Sequence, residues 1–137
     1  MALTPFTRIT QREPGCHVNQ GVNPKRGEIW RVDLDPTIGA EMQKTRPCIV
    51  LSGDNVGRLP LRLVVPLTAW QEHFAGNLWM VKIKATRGTG LTKDSTADAF
   101  QLRGVDLARF DTAGPMGKVS DADMEQVMAA VTLTIGK

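Results

Sequence analysis

Apolar and polar residues alternate along two well-separated segments of the chain. Residues 28–34 (EIWRVDL) and 79–85 (WMVKIKA) carry an apolar side chain at nearly every second position. A repeat of two residues is typical of a strand that buries one face and exposes the other. Both segments are therefore predicted strands, and Trp30 and Trp79 are expected to pack in the core.

Four further segments have extended character. Residues 47–51 (PCIVL) form a continuous apolar run, which is typical of a fully buried strand. Residues 61–67 (LRLVVPL) form another, with Pro66 near its end, where a missing N–H costs least. Residues 95–102 and 105–110 are shorter candidates, so the chain is expected to contain five to seven short strands.

The pattern changes to a helical period near the end of the chain. Ser120, with Asp123 three residues later, is a variant of the capping box that begins helices. One helical stripe then collects the apolar residues Met124, Val127, Met128, Val131 and Ile135. Short strands separated by turns and followed by one helix predict a mainly β fold with a C-terminal helix, arranged as a small barrel or a curled antiparallel sheet.

The first part of the chain shows neither the strand repeat nor the helical repeat. Residues 1–24 are rich in proline and glycine, and we expect an irregular, flexible arm followed by a single domain over 25–137.

A hydrophobic content of 42% and a charged content of 23% are ordinary for a globular domain. No apolar run is long enough for a membrane span or a signal peptide, so a cytoplasmic location without membrane contact is expected.

Composition and the absence of common motifs count against most enzyme classes. The net charge of +3 is too weak to steer a polyanion by itself, so a nucleic-acid site would need local clustering of charge. Cys16 and Cys48 form neither a disulfide framework nor a zinc spacing, and Cys48 is expected to be a buried thiol. The chain has no phosphate-binding glycine loop, nucleophile elbow or metal-carboxylate cluster. We therefore expect no metal and no cofactor.

Polar residues at strand ends are the remaining candidates for chemistry. Arg46 precedes Pro47 and a buried strand, which would fix the origin of a guanidinium able to pair with a phosphate. Thr68 follows a buried strand and could donate a hydrogen bond to a phosphate oxygen. Glu41, in the loop before Arg46, could accept a proton. The alternatives are a solvated loop arginine, a strand-end threonine bonded to the backbone and a solvated carboxylate.

Residues that could contact a nucleic acid are more dispersed. Lys82 and Lys84 share one face of a predicted strand, where they either follow a phosphate backbone or form a solvated face. Trp70 and Phe74, in a loop, are better placed to stack on bases than the strand tryptophans.

Taken together, these residues resemble the MazF/PemK toxin family. Residues 26–52 (RGEIWRVDLDPTIGAEMQKTRPCIVLS) contain in order the family's blocks R-G-[DE]-[IV]-[WY], D-L-[DN]-P, G-[SA]-E and R-P-x-[LIV]-V-[LIV]. Residues 64–68 (VVPLT) are similar to its second catalytic block. The resemblance covers about 25–137. It departs after the second strand, where many members carry Asn-Asp and this chain has Gly53-Asp54.

The resemblance implies an SH3-like barrel of the CcdB/MazF type, a homodimer, a cognate antitoxin and metal-independent, sequence-specific cleavage of single-stranded mRNA. An mRNA interferase of this kind leaves a 2′,3′-cyclic phosphate and a 5′-hydroxyl. The catalytic arginine and threonine of the family correspond to Arg46 and Thr68, and its acidic loop residue to Glu41. The general base is either Glu41 or Arg46 itself. The residues expected to contact RNA are Lys44, Ser52, Asn55, Trp70, Lys82 and Lys84.

Two other functions remain as alternatives. A gyrase poison of the CcdB type shares the barrel but needs no arginine–threonine pair. A non-catalytic SH3-like module would bind proline-rich peptides through an aromatic groove. The aromatic content of 5% and the absence of tyrosine count against the second alternative.

Overall fold

The computed structural model describes residues 22–136, and most of the arm predicted for 1–24 lies outside them. Within the described residues the chain forms seven strands and one long helix, which confirms the predicted fold class. The strands are β1 (Glu28–Asp33), β2 (Thr45–Val50), β3 (Leu61–Ala69), β4 (Met80–Ile83), β5 (Ser95–Asp98), β6 (Arg103–Asp106) and β7 (Gly117–Lys118). The helix, α1, is Asp121–Thr134.

The strands form one curled antiparallel sheet with β3 at its centre. The order is β4-β5-β3-β2-β1-β7, and β6 also pairs with β3. One edge of β3 pairs with β2, while its other edge pairs first with β6 and then with β5. Pro66 lies inside this strand, which ends at Ala69, two residues beyond the predicted end at Leu67. It falls between the stretch paired with β6 and the stretch paired with β5, so its missing N–H interrupts neither ladder.

The two faces of the sheet bury separate apolar clusters. The helix face packs against α1 and carries residues such as Ile49, Val65 and Ile83. The opposite face, here called the site face, carries Trp30 and Cys48 among its buried residues. Successive residues of a strand alternate between faces, so the register places Arg46, Thr68, Thr96, Asp98 and Lys82 on the site face as well.

Helix α1 begins where the sequence predicts. The Ser120 side chain accepts a hydrogen bond from the backbone N–H of Asp123, which satisfies one of the free N–H groups of the first turn. Met124, Val127 and Val131 of the predicted stripe are buried. The prediction is wrong for Ile135, which lies beyond the helix and is 68% exposed.

Two other features differ from the expectation. Trp79 precedes β4 and is 37% exposed, packing edge-on against Phe100 with ring centroids 5.4 Å apart, so the prediction of a core tryptophan is wrong there. Strand β7 was not predicted, because two residues of sequence Gly-Lys carry no hydrophobic period. Gly117 is required there, since a Cβ atom would lie 2.4 Å from the Thr89 carbonyl oxygen.

The chain enters the domain through a fixed segment. Val22 is buried in the cluster of the site face. Arg62, 6% exposed, donates from Nε to the Pro24 carbonyl at 3.1 Å and from Nη2 to Asn23 Oδ1 at 3.2 Å. Among residues 22–136, no helix has the length and apolar character that a membrane crossing requires.

Candidate active site

Arg46 and Thr68 face each other across β2 and β3. Cys48 pairs with Pro66 at the end of the β2–β3 ladder, and extending that register by two residues would set Arg46 opposite Thr68. Arg46 Nη1 donates to Thr68 Oγ1 at 3.4 Å, and Arg46 Nε donates to the Gln43 carbonyl at 3.0 Å. Both side chains are partly exposed. A guanidinium has five N–H donors, so two contacts hold it in place while other donors remain for a ligand.

The polar row continues onto the next two strands. Thr68 pairs with Thr96 of β5, and Thr96 pairs with Lys82 of β4. Lys82 Nζ lies 5.0 Å from the centre of the Trp70 ring and 3.9 Å from Asp94 Oδ2. Directly opposite residues in antiparallel strands have Cα atoms about 4.5–5.5 Å apart. The structure therefore places the predicted residue Lys82 two strands, about 10 Å, from Thr68, with Trp70 next to Lys82.

Glu41 and Lys44 lie in the loop that leads from β1 into β2. Glu41 is exposed, and its Oε1 accepts a hydrogen bond from the Ile38 N–H at 2.9 Å. Lys44 adopts a positive φ of 70°, and its carbonyl accepts from the Leu34 N–H at 3.0 Å, which closes the base of the loop. Neither side chain has a hydrogen bond to Arg46 or Thr68 within the described part of the chain.

Gln101 ties this loop to the sheet. Its Nε2 donates to the Ala40 carbonyl at 3.1 Å, and its Oε1 accepts from the Met42 N–H at 2.9 Å. Gln101 ends a short 3-10 helix, Ala99–Gln101, that directly follows β5. The two bonds flank Glu41 and fix the loop that precedes Arg46.

The remaining predicted RNA contacts lie elsewhere. Ser52 and Asn55 follow the far end of β2, and Ser52 is six residues from Arg46 along the chain, a separation of up to about 20 Å in extended chain. The Ser52 hydroxyl accepts from the Leu63 N–H at 3.2 Å. Lys84 borders an open groove of about 580 Å³ that Lys82 and Lys118 also line. The structure does not bring Ser52 and Asn55 to the arginine–threonine pair.

Charged groups surround the buried thiol behind the site. Burial raises the pKa of Cys48 to about 12, and the positive charges of Arg103 and Arg46 partly oppose this shift. Arg103 Nη1 also donates to the Leu34 carbonyl at 3.1 Å. Burial likewise raises the pKa of Asp98, against the hydrogen bond that its Oδ1 accepts from the Phe100 N–H. The site thus contains two guanidiniums, a lysine and a poorly solvated carboxylate.

Sequence reasoning missed four of these residues: Thr96, Asp98, Gln101 and Arg103. Thr96, Asp98 and Gln101 fall in the short extended candidate 95–102, Arg103 lies just outside it, and each joins the site through contacts distant in sequence. The only sequence feature that could have indicated a role for them is their polarity. The structure then shows that most of this segment is buried. Among residues 22–136, the His, Cys, Asp and Glu side chains form no group of three that could hold a metal ion.

Comparison with known proteins identifies relatives of the chain. Residues 25–135 match the family described as PemK-like, MazF-like toxin of type II toxin–antitoxin system. The endoribonuclease MazF9 of Mycobacterium tuberculosis is 37% identical over 115 residues, which cover 80% of this chain and 93% of that protein. The endoribonuclease PemK of Escherichia coli is 50% identical over 93 residues, or 62% of this chain and 68% of that protein.

Solved structures share the fold at lower identity. A MazF from Deinococcus radiodurans has a TM-score of 0.69 and 20% identity, covering 83% of this chain and 97% of that chain. An endoribonuclease from a mycobacterial species, solved in complex with its cognate antitoxin, has a TM-score of 0.63 and 20% identity, with coverages of 82% and 95%. At this identity the likeness establishes the common fold.

Proposed function

Because the chain belongs to the PemK-like, MazF-like toxins of type II toxin–antitoxin systems, we propose that it is an endoribonuclease that cuts single-stranded mRNA at specific sequences without a metal ion. Relatives across most of its length are named endoribonucleases, which supports the activity. The observation that supports the proposed cleavage mechanism is the hydrogen bond between Arg46 and Thr68, whose side chains are both partly exposed.

RNA supplies its own nucleophile, the 2′-hydroxyl group next to the scissile phosphate. The enzyme must align it, stabilise the extra negative charge of the pentacoordinate phosphorane, and protonate the leaving 5′-oxygen. In the proposal the 2′-hydroxyl gives its proton to a general base, either Glu41 or Arg46 itself, as its oxygen bonds to phosphorus. Arg46 neutralises the phosphorane and delivers a proton to the 5′-oxygen as the bond from phosphorus to that oxygen breaks, so no proton is gained or lost overall. Thr68 donates a hydrogen bond to a non-bridging oxygen. The products are a 2′,3′-cyclic phosphate and a 5′-hydroxyl.

The RNA would bind along the lysine end of the polar row that runs from Thr68 through Thr96 to Lys82. Lys82 next to Trp70 offers a charge for the RNA backbone and a ring on which a base can stack. Lys84 extends this surface along the groove that Lys118 also borders. The flanking nucleotides of a bound strand would lie there.

The protein would act in the cytoplasm as a homodimer that a cognate antitoxin inhibits, and the mycobacterial relative solved with its antitoxin supports such a partner. Light scattering of the purified protein should give about twice the chain mass of 15.0 kDa. None of the relatives named above is a gyrase poison, so the CcdB-type alternative has no support.

Cleavage of a long RNA in EDTA tests the function. The wild type should cut at a few repeated sites and leave 5′-hydroxyl ends. Arg46→Ala should lower the rate at least about a hundredfold, the usual cost of removing one preorganised charge donor. Arg58→Ala is the matched control, since Arg58 is exposed in the loop at the far end of β3. Equal rates for Arg46→Ala and the control would refute the mechanism.

A further inference from the structure

A second arginine, Arg103, lies on the site face and has no part in the cleavage steps described above. Arg103 begins β6 and pairs with Val64, which is buried in the cluster of the site face. Residues directly opposite each other in antiparallel strands share a face, so Arg103 lies on the site face as well. Its side chain is partly exposed, as that of Arg46 is. A ligand bound on this face can therefore reach both guanidiniums.

Arg103 and Arg46 hold the two ends of one loop. Arg103 Nη1 donates to the Leu34 carbonyl at 3.1 Å. Arg46 Nε donates to the Gln43 carbonyl at 3.0 Å. The Leu34 N–H in turn donates to the carbonyl of Lys44, the residue after Gln43. The two acceptor carbonyls therefore belong to paired chain segments about 5 Å apart, and the two guanidiniums meet where this loop joins the sheet.

No carboxylate in the described part of the chain pairs with either of these positive charges. The single ion pair there joins Lys82 to Asp94. Both guanidiniums are also close enough to the buried Cys48 thiol for their charges to oppose the rise of its pKa. Like charges held close together repel each other, and an anion bound to both removes this repulsion. A guanidinium pairs with phosphate oxygens through parallel N–H donors, so a phosphate is an anion that fits.

The proposed cleavage leaves a task for a second cation. Arg46 delivers a proton to the leaving 5′-oxygen, and a guanidinium that has given up its proton is neutral. The phosphate is still negatively charged at that moment, so another positive group is needed to stabilise it. Arg103 suits this task because a guanidinium that transfers no proton stays charged throughout. Its bond to the Leu34 carbonyl uses one of five N–H donors and leaves the others for a phosphate.

We propose that Arg103 is a second catalytic arginine, whose guanidinium binds the non-bridging oxygens of the scissile phosphate beside Arg46. This inference rests on the proposed ribonuclease function. Arg103 transfers no proton and forms no covalent bond, and it stabilises the negative charge of the phosphorane while Arg46 delivers the proton. Because this charge develops mostly in the transition state, removing the charge of Arg103 should lower kcat more than it raises KM.

Two substitutions separate the charge of Arg103 from its support of the loop. Arg103→Lys and Arg103→Gln both keep an N–H donor for the Leu34 carbonyl, but only lysine keeps the charge. In a fluorogenic cleavage assay Arg103→Gln should lower kcat about a hundredfold, and Arg103→Lys should recover at least about tenfold of that loss. If Arg103 only supports the loop, the two variants should have equal kcat, and this result would overturn the proposal.

Arg109 provides a matched control, because it also supports this loop. Its Nη1 donates to the carbonyls of Asp33 and Asp35. Phe110, the next residue, bridges to β1 on the edge opposite β2, so Arg109 approaches the loop from outside the site. Arg109→Gln should lower kcat by at most about tenfold, the value of one lost hydrogen bond. A loss as large as that of Arg103→Gln would assign both arginines to loop support and would also contradict the proposal.

Binding of an RNA that cannot be cut tests the phosphate contact without cleavage. The probe is a fluorescent single-stranded RNA with fluorine in place of every 2′-hydroxyl, which removes the nucleophile. Its affinity should fall with salt, with a logarithmic slope of about −0.7 for each phosphate that the protein neutralises. Arg103→Gln should make this slope shallower by about 0.7, and Arg109→Gln should leave it unchanged.

The two assays distinguish failure of the inference from failure of the function. A wild type that cuts RNA, with the same salt slope for Arg103→Gln, would refute the contact of Arg103 with a phosphate and leave the ribonuclease function intact. A wild type that binds the probe but cuts no natural RNA would refute the ribonuclease function. The salt slope of Arg103→Gln would then still decide whether Arg103 contacts a phosphate.

Discussion

The two hydrogen bonds of Gln101 should control cleavage from outside the catalytic pair. They hold Ala40 and Met42 against the 3-10 helix after β5, and the same loop carries Gln43, whose carbonyl accepts from Arg46 Nε. A typical intramolecular hydrogen bond contributes about 0.5–1.5 kcal/mol. Losing both bonds weakens docking of the loop by about 1–3 kcal/mol, a factor of about 5 to 150 in its equilibrium constant.

A graded pair of variants converts this estimate into rates. Gln101→Leu removes both bonds, and we expect kcat/KM on a short RNA to fall at least about fivefold, because Arg46 loses a fixed support. Gln101→Glu can still accept from the Met42 N–H but cannot donate to the Ala40 carbonyl, so its loss should be smaller. Both variants also lower the free energy of unfolding, by at most the same 1–3 kcal/mol, and the assay must run well below their Tm.

Hydrogen exchange at the Met42 amide provides the structural readout. Faster exchange of this amide should accompany the slower cleavage, in the same order for the two variants. The reasoning is refuted if Gln101→Leu accelerates exchange at Met42 and still cleaves like the wild type. Such a result would mean that Arg46 keeps its position without the loop.

Two further predictions follow from the buried groups behind the site. Because burial raises the pKa of Asp98 in the fold, the native state loses stability as pH rises from the unfolded-state pKa of about 4 to the raised pKa of the folded state. Urea unfolding should therefore find Asp98→Asn more stable than the wild type at pH 7.5. This gain should shrink as pH falls through the raised pKa and be absent below about pH 4, and a gain that grew toward acid would contradict this. Since the pKa of Cys48 is raised to about 12, iodoacetamide at pH 8 should leave Cys48 unlabelled in the native protein and label it in guanidinium chloride, as followed by mass spectrometry of its peptide. Full labelling of the native protein would show that Cys48 is accessible.

Local patterns predict the elements whose burial has a regular period. The alternation in 28–34 and the apolar run in 47–51 correspond to β1 and β2, and Ser120 begins the helix as expected. Arg46 and Thr68 could be found because each directly adjoins a recognisable buried strand and fits a family block. Their mutual contact, which defines the site, required the register of β2 and β3.

The rest of the site depends on pairing that no local pattern records. Thr96 and Asp98 belong to a four-residue strand whose residues are all buried, with no alternation to reveal which face they occupy. Gln101 acquires its role through contacts 59 and 61 residues away. Trp79 was misassigned because strand β4 begins one residue later than the alternation suggests.

The order of the strands has a consequence for synthesis on the ribosome. The centre of the sheet, β3, receives one neighbour from the first half of the chain and two, β5 and β6, from the second half. A nascent chain that ends after β3 already contains Arg46 and Thr68, but it lacks Thr96, Gln101 and the strands that hold one edge of β3. Cutting activity should thus arise only once translation has passed β6, and prematurely terminated chains should be harmless to the mRNA from which they are made.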